Sequence, residues 1–224
     1  MNTAPPSGPS PAPLRRLRLI LWGLVAVILL VLAVSFGWQV ANAPKTGQSD
    51  TRGAIDVTGK PIGAPFTLTD QDGKTVRDSD FAGKYRLIYF GYTFCPDICP
   101  TDVQKLGLAM RRLDREAPAV SAKVQPIFIT IDPERDTPPV IKQFVSAFHP
   151  RLIGLTGTVP QITALAKGYA AFFAKLPPAQ PGGSYLMNHS AMFYLMGPKG
   201  EPLVILPREM SDADVAAEIR KWVK

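Results

Sequence analysis

The chain is 224 residues long, 46% hydrophobic and 19% charged, with a formal net charge of +7. That length accommodates one well-buried domain and an appendage, while two cysteines are too few for a disulfide-built scaffold. Residues 1–42 hold three arginines and no acidic residue; the remainder carries 22 basic against 18 acidic residues, with no basic run interleaved with aromatics, which argues against a nucleic-acid face.

Residues 1–18 open on a Pro-, Ser- and Ala-rich stretch without periodicity and read as a disordered cytoplasmic N-terminus. Residues 19–40 read as a transmembrane anchor, since Leu19 to Trp38 is twenty residues without a charge, enough to cross a bilayer as a helix. Trp22 and Trp38 lie near its ends. Arg15, Arg16 and Arg18 precede it and the next basic residue is Lys45. The positive-inside rule therefore keeps the N-terminus cytoplasmic and places the rest on the periplasmic or other extracytoplasmic side of the inner membrane. A cleaved signal peptide ending at Ala41-Asn42-Ala43 is the alternative; the apolar run exceeds the about 7–15 residues of a signal core, and Pro44 would follow the cut.

Residues 41–60 are polar and turn-rich and read as a tether, with residues 61–224 as the folded domain. Pro65 to Thr69 and Lys74 to Val76 flank an Asp-Gly turn, predicting a β-hairpin. Tyr85 to Phe90 is an apolar run that predicts a buried central strand. Val103, Leu106, Ala109, Met110 and Leu113 share one stripe, predicting a helix over Thr101 to Arg115. A strand is expected at Val124 to Ile131, a helix at Pro138 to Phe148, a short extended piece at residues 152–156 and a helix at Val159 to Phe173. A hairpin of Ala191 to Met196 with Leu203 to Leu206 precedes a closing helix, Ser211 to Trp222, that starts on a Ser-x-x-Asp cap pattern. This order predicts an α/β fold: a thioredoxin-like three-layer sandwich with an added N-terminal β-hairpin, preceded by one transmembrane helix. The cysteines then fall at the carboxyl edge of the sheet.

Both cysteines lie in Phe90-Gly91-Tyr92-Thr93-Phe94-Cys95-Pro96-Asp97-Ile98-Cys99-Pro100. The C-x-x-x-C spacing at a helix start favours thiolates and lets two soft sulfurs converge on a metal. In an exported domain the same pair could instead form a small disulfide, though one enclosing three residues adds little stability. Histidine is scarce: His149 ends a helix before Pro150, whereas His189 sits in Tyr185-Leu186-Met187-Asn188-His189-Ser190-Ala191, across from the cysteine loop in the expected topology. Two thiolates and an imidazole suit Cu(I), Cu(II) with added ligands, or zinc with an open position.

With Phe81-Ala82-Gly83-Lys84, Asp132-Pro133-Glu134-Arg135-Asp136-Thr137, Gly154-Leu155-Thr156-Gly157-Thr158 and the His189 segment, the cysteine run resembles the Sco/SenC proteins over roughly residues 56–206. The resemblance implies a membrane-anchored copper protein that delivers copper to the CuA centre of cytochrome c oxidase during assembly, a metallochaperone rather than an enzyme. It also implies Cys95, Cys99 and His189 as ligands for Cu(I) and Cu(II). The expected partners are the oxidase subunit carrying CuA, a periplasmic copper carrier and a thiol reductant. Asn188 departs from the family, which usually has aspartate before this histidine; the size is kept and the charge lost. The alternative is a thiol-disulfide oxidoreductase that reduces the CuA-site cysteines, with one of Cys95 and Cys99 as the attacking thiol and the other as the resolving one; Ser190 stands where thioredoxins carry proline. Asp97 is either a tuner of the thiols or a helix-start carboxylate. Asp132 either orients the ligands or serves a turn by binding Arg135. Met187, Met192 and Met196 read as core.

Overall fold

Residues 12–41, 53–178, 180 and 183–224 are described by a computed structural model, which divides into two units, Met1–Ser49 and Asp50–Lys224. The disorder expected before residue 12, the cleavage motif after Ala41 and the tether over 42–52 lie outside the described residues. In the first unit α1 spans Ala12–Ala41. Its window Leu17–Ser35 has a mean hydropathy of 2.8 and no residue of it is buried, and among the described residues it is the one helix long and apolar enough to cross a membrane. The helix begins ahead of the apolar run: Ala12 to Arg18, part of the stretch expected to be disordered, are helical, because leucine and arginine are good helix formers.

The second unit begins with β1 (Ile55–Asp56), β2 (Thr67–Asp70), β3 (Thr75–Arg77), a 3₁₀ turn (Asp78–Phe81) and β4 (Tyr85–Gly91). It continues through α2 (Ile98–Glu116), α3 (Pro118–Ser121), β5 (Val124–Thr130), α4 (Pro138–Ser146), β6 (Ile153–Thr156) and α5 (Val159–Gly168). It closes with β7 (Phe173–Lys175), β8 (Met187–His189), β9 (Met192–Met196), β10 (Pro202–Pro207) and α6 (Asp212–Trp222). Eight strands form one mixed sheet in the order β1-β10-β9-β4-β5-β6-β2-β3, and β7 with β8 forms a second, two-stranded sheet.

Every residue of β4 is buried, and alternate residues of a strand face opposite sides, so both faces of the sheet are covered. On one face Tyr89 lies against Phe128 and Phe193, with Phe128 reaching Phe144 of α4. On the other, Phe90, Tyr194 and Tyr169 meet edge to face where α5 ends. Each such fully buried aromatic contributes about 1.5–3 kcal/mol of transfer free energy. The thioredoxin-like layering expected from element order is therefore present, with the β2–β3 hairpin added beside β6.

In the folded unit α3 and β8 were not expected, and other elements differ from expectation. Ile55–Asp56, inside the stretch read as tether, pairs with β10. The helix expected to reach Phe173 stops at Gly168; Ala170 takes φ +51° and the chain turns out into β7. Helix α2 starts at Ile98, ahead of Thr101, which puts Cys99 and Pro100 in its first turn, where a missing N–H costs no helical bond.

Candidate metal centre

Strand β4 ends at Gly91, and the segment to Asp97 carries the chain into α2. A Cβ at Gly91 would stand 2.7 Å from the Tyr89 ring and 3.3 Å from Cys99 Sγ, so glycine here lets that sulfur lie against the strand end. Cys99 is wholly buried, Cys95 is half-buried, and both are free thiols. The Asp97 carboxylate makes no capping bond to α2. Instead Cys95 Sγ accepts from the Cys99 N–H at 3.3 Å, occupying the place of a helix cap. Burial pushes the Cys95 thiol up, but the N–H groups of Cys99 and Asp97 outweigh it, leaving the thiol below its usual value. Burial drives Cys99 far above that value, with the Cys95 charge adding to the effect and the backbone of Tyr92 opposing it.

His189 ends β8 and points Nε2 at Cys99 Sγ, 3.2 Å away. Its Nδ1 lies 3.2 Å from the Ser190 carbonyl, which can only accept, so this contact assigns the ring proton to Nδ1 and leaves the Nε2 lone pair facing sulfur. Burial holds the imidazole below its usual value, the Ser190 bond opposing, which keeps the neutral form that a metal ligand needs. Tyr89 and Tyr92 meet the ring edge to face at 6.0 and 6.1 Å. In the metal-free state the protonated Cys99 thiol donates to Nε2.

Among the described residues no three Cys, His, Asp or Glu side chains are gathered as a finished metal site. The structure brings together Cys99 and His189, with Cys95 one amide away. All but Cys99 open on a pocket of about 260 Å³ that is also lined by Tyr92, Asp97, Asn188 and Met187. Phe94, Ile98, Leu176 and Leu186 are exposed around the cysteine and histidine segments. Of the methionines read from sequence as core, Met196 is buried, while Met187 and Met192 are half-buried and packed against the core; Asn188 is exposed.

Asp132 does not touch the sulfurs or the imidazole: it pairs with Arg135 and accepts from Tyr185 Oη at 2.8 Å. His149 is buried elsewhere, 3.0 Å from the Asp114 carboxylate. Sequence reasoning did not single out Asp136, whose carboxylate takes bonds from the Thr93 N–H (2.9 Å), Thr93 Oγ1 (2.6 Å) and Thr130 Oγ1 (2.6 Å) and so fixes the entry to the cysteine loop. It also passed over Asp102, fully buried beneath Cys99, where Tyr89 Oη donates at 3.0 Å and Arg208 Nε at 3.2 Å. An acidic residue on the apolar stripe of a helix was the available signal for Asp102.

The SCO1/SenC family profile matches residues 56–224. Mitochondrial SCO1 of Saccharomyces cerevisiae is 41% identical over 167 residues, 74% of this chain and 56% of that protein. The chain spans 56% and 53% of the lengths of two yeast relatives. The structure of Bradyrhizobium japonicum ScoI with copper bound is 38% identical with a TM-score of 0.64, covering 72% of this chain and 99% of that one. BsSco, in which a disulfide switch was identified, is described as a member of the Sco family of cytochrome c oxidase assembly proteins. It is 28% identical with a TM-score of 0.58 over 75% of this chain and 96% of its own. With the profile spanning nearly the whole folded unit, the chain belongs to the SCO1/SenC family.

Proposed function

We propose that this chain is a membrane-anchored copper-binding protein that holds copper through Cys95, Cys99 and His189 and delivers it to the CuA centre of cytochrome c oxidase during assembly. The observation that carries the reading is the 3.2 Å approach of His189 Nε2 to Cys99 Sγ, with the lone pair turned toward the sulfur. Copper replaces the thiol proton in that contact, and rotation of the half-buried Cys95 side chain adds the second sulfur. Two thiolates and one imidazole form a donor set suited to Cu(I), and the copper-bound Bradyrhizobium relative supports the choice of metal.

Cys95, at the pocket mouth, is the ligand an incoming thiolate displaces first; Cys99 and His189, deeper, leave later. Loading requires the dithiol to be reduced, which calls for a thiol reductant, and a periplasmic carrier supplies the metal. Helix α1 anchors the domain in the inner membrane, N-terminus cytoplasmic. Asp97 at the rim acts on the thiols through its backbone N–H, and Asp132 acts on the histidine side through Tyr185.

A second reading, reduction of the oxidase cysteines, draws on the pairing of a thiolate-biased, accessible Cys95 with a buried Cys99. One experiment separates them: anaerobic Cu(I) titration of the reduced full chain against a competing chelator, with His189→Ala in parallel. The copper reading predicts one equivalent bound, weakened by His189→Ala by more than the about 10–100-fold that loss of a ligand's supporting partner costs. Unchanged affinity in His189→Ala, with thiol exchange intact, would favour reduction.

A further inference from the structure

His189 stands on a different element from the cysteines, which follow β4 on the segment to α2 and in its first turn. It lies on β8, whose one strand partner is β7. After it, Ser190 and Ala191 lead directly into β9 of the eight-stranded sheet; before it, the segment is held by contacts that cross from the two-stranded sheet and its loop to the body. Arg135, on the turn after β5, makes several of them, beside the Lys175–Glu134 ion pair at 2.8 Å and the packing of Tyr89 and Tyr92 on the imidazole. Its Nη1 donates to the Tyr185 carbonyl at 2.9 Å and to Ser184 Oγ at 3.1 Å, and its Nε pairs with Asp132. Its guanidinium lies 3.6 Å over the Tyr185 ring and 4.9 Å over the ring of Phe94, the residue before Cys95. Asp132 holds the same tyrosine by its hydroxyl at 2.8 Å. Tyr92 Oη accepts from the Met187 N–H at 3.2 Å, two residues from His189.

We propose that Arg135, seated by Asp132 and Tyr185, is the positioning residue that sets the reach of His189 to Cys99. A single planar cation touches both ligand-bearing segments, stacking on Phe94 and Tyr185 while its N–H groups bond the 184–185 backbone and side chain. Lysine cannot replace it, because an ammonium neither stacks nor presents a fork of donors. The role rests on the metal-ligand reading above for its functional consequence, and on the contacts alone for its structural one.

The test is a double-mutant cycle on the full chain in detergent, with Arg135→Ala and Arg135→Lys each made in the wild-type and His189→Ala backgrounds. Cu(I) affinity is measured by chelator competition. Arg135→Ala weakens binding by about 10–100-fold in the wild-type background, the range for residues that orient ligands. In His189→Ala it changes binding by no more than about twofold, the scatter expected when the coupled partner is gone. Arg135→Lys behaves like the alanine variant. In the metal-free protein, amide exchange at Met187 accelerates in Arg135→Ala while that of Ile129 in β5 does not. Equal losses in both backgrounds, or unchanged Met187 exchange, would overturn the proposal. Should His189→Ala alone leave Cu(I) affinity untouched, the functional reading falls, and the Met187 exchange still decides whether Arg135 positions the arm.

Discussion

Cys95 and Cys99 are four residues apart and have opposite electrostatic surroundings. Cys95 borrows two backbone N–H groups at the start of α2, so its thiolate is stabilised below the usual thiol range. Cys99 lies in the apolar interior against Tyr89 and Gly91, where ionisation is opposed. The sign is direct: a depressed thiol is reactive at lower pH, and a raised one stays protonated. Iodoacetamide should therefore label Cys95 first, with a rate midpoint below the about 8.5 of a free thiol, while Cys99 stays unlabelled until the protein unfolds. Peptide mass spectrometry over a pH series checks this; equal labelling with one shared midpoint would contradict it. His189 completes the logic, since neutral imidazole and protonated Cys99 form a hydrogen bond that a metal can replace.

Among the elements, the long ones were legible in the sequence because their apolar pattern is local. β4, β5, α2 and α6 are set by runs and stripes that tertiary contacts only reinforce. β1 and β7 were not legible. Two- and three-residue strands have no period of their own, and Phe172-Phe173-Ala174 extends the apolar pattern of α5 in the sequence although the left-handed Ala170 has already ended the helix. The site followed the same division. Cysteines and histidine announce themselves by type, whereas Arg135, Tyr185 and Tyr92 matter through contacts between residues far apart in the chain, Arg135 with Tyr185 and Tyr92 with Met187.

The packing of α2 yields its own prediction. Gly107 sits mid-helix, where alanine would ordinarily gain about 0.8–1 kcal/mol. A Cβ there would lie 2.7 Å from the backbone oxygen of Phe148, and such overpacking costs about 1–3 kcal/mol. The clash outweighs the propensity, so Gly107→Ala should lower the urea midpoint of the metal-free protein; a raised midpoint would show that the segment after α4 yields freely.

At the scale of the whole molecule, the chain consists of an apolar helix and a folded unit. One is long and apolar enough to cross a membrane; the other presents a pocket where the proposed donors come from the start of α2 and the end of β8. On the proposed function that division suits a carrier: the cysteines follow β4 at the start of α2, and the histidine ends β8, two residues ahead of β9. A site meant only to store metal would gain from all three ligands sharing one frame. The account stands or falls on the three donors acting together on one ion. X-ray absorption at the copper K-edge of the Cu(I)-loaded full chain tests it most directly. The account predicts a copper environment of two sulfurs and one imidazole nitrogen, with the imidazole scattering lost in His189→Ala. Sulfur-only coordination in the wild-type protein, or a spectrum unchanged by that substitution, would contradict it.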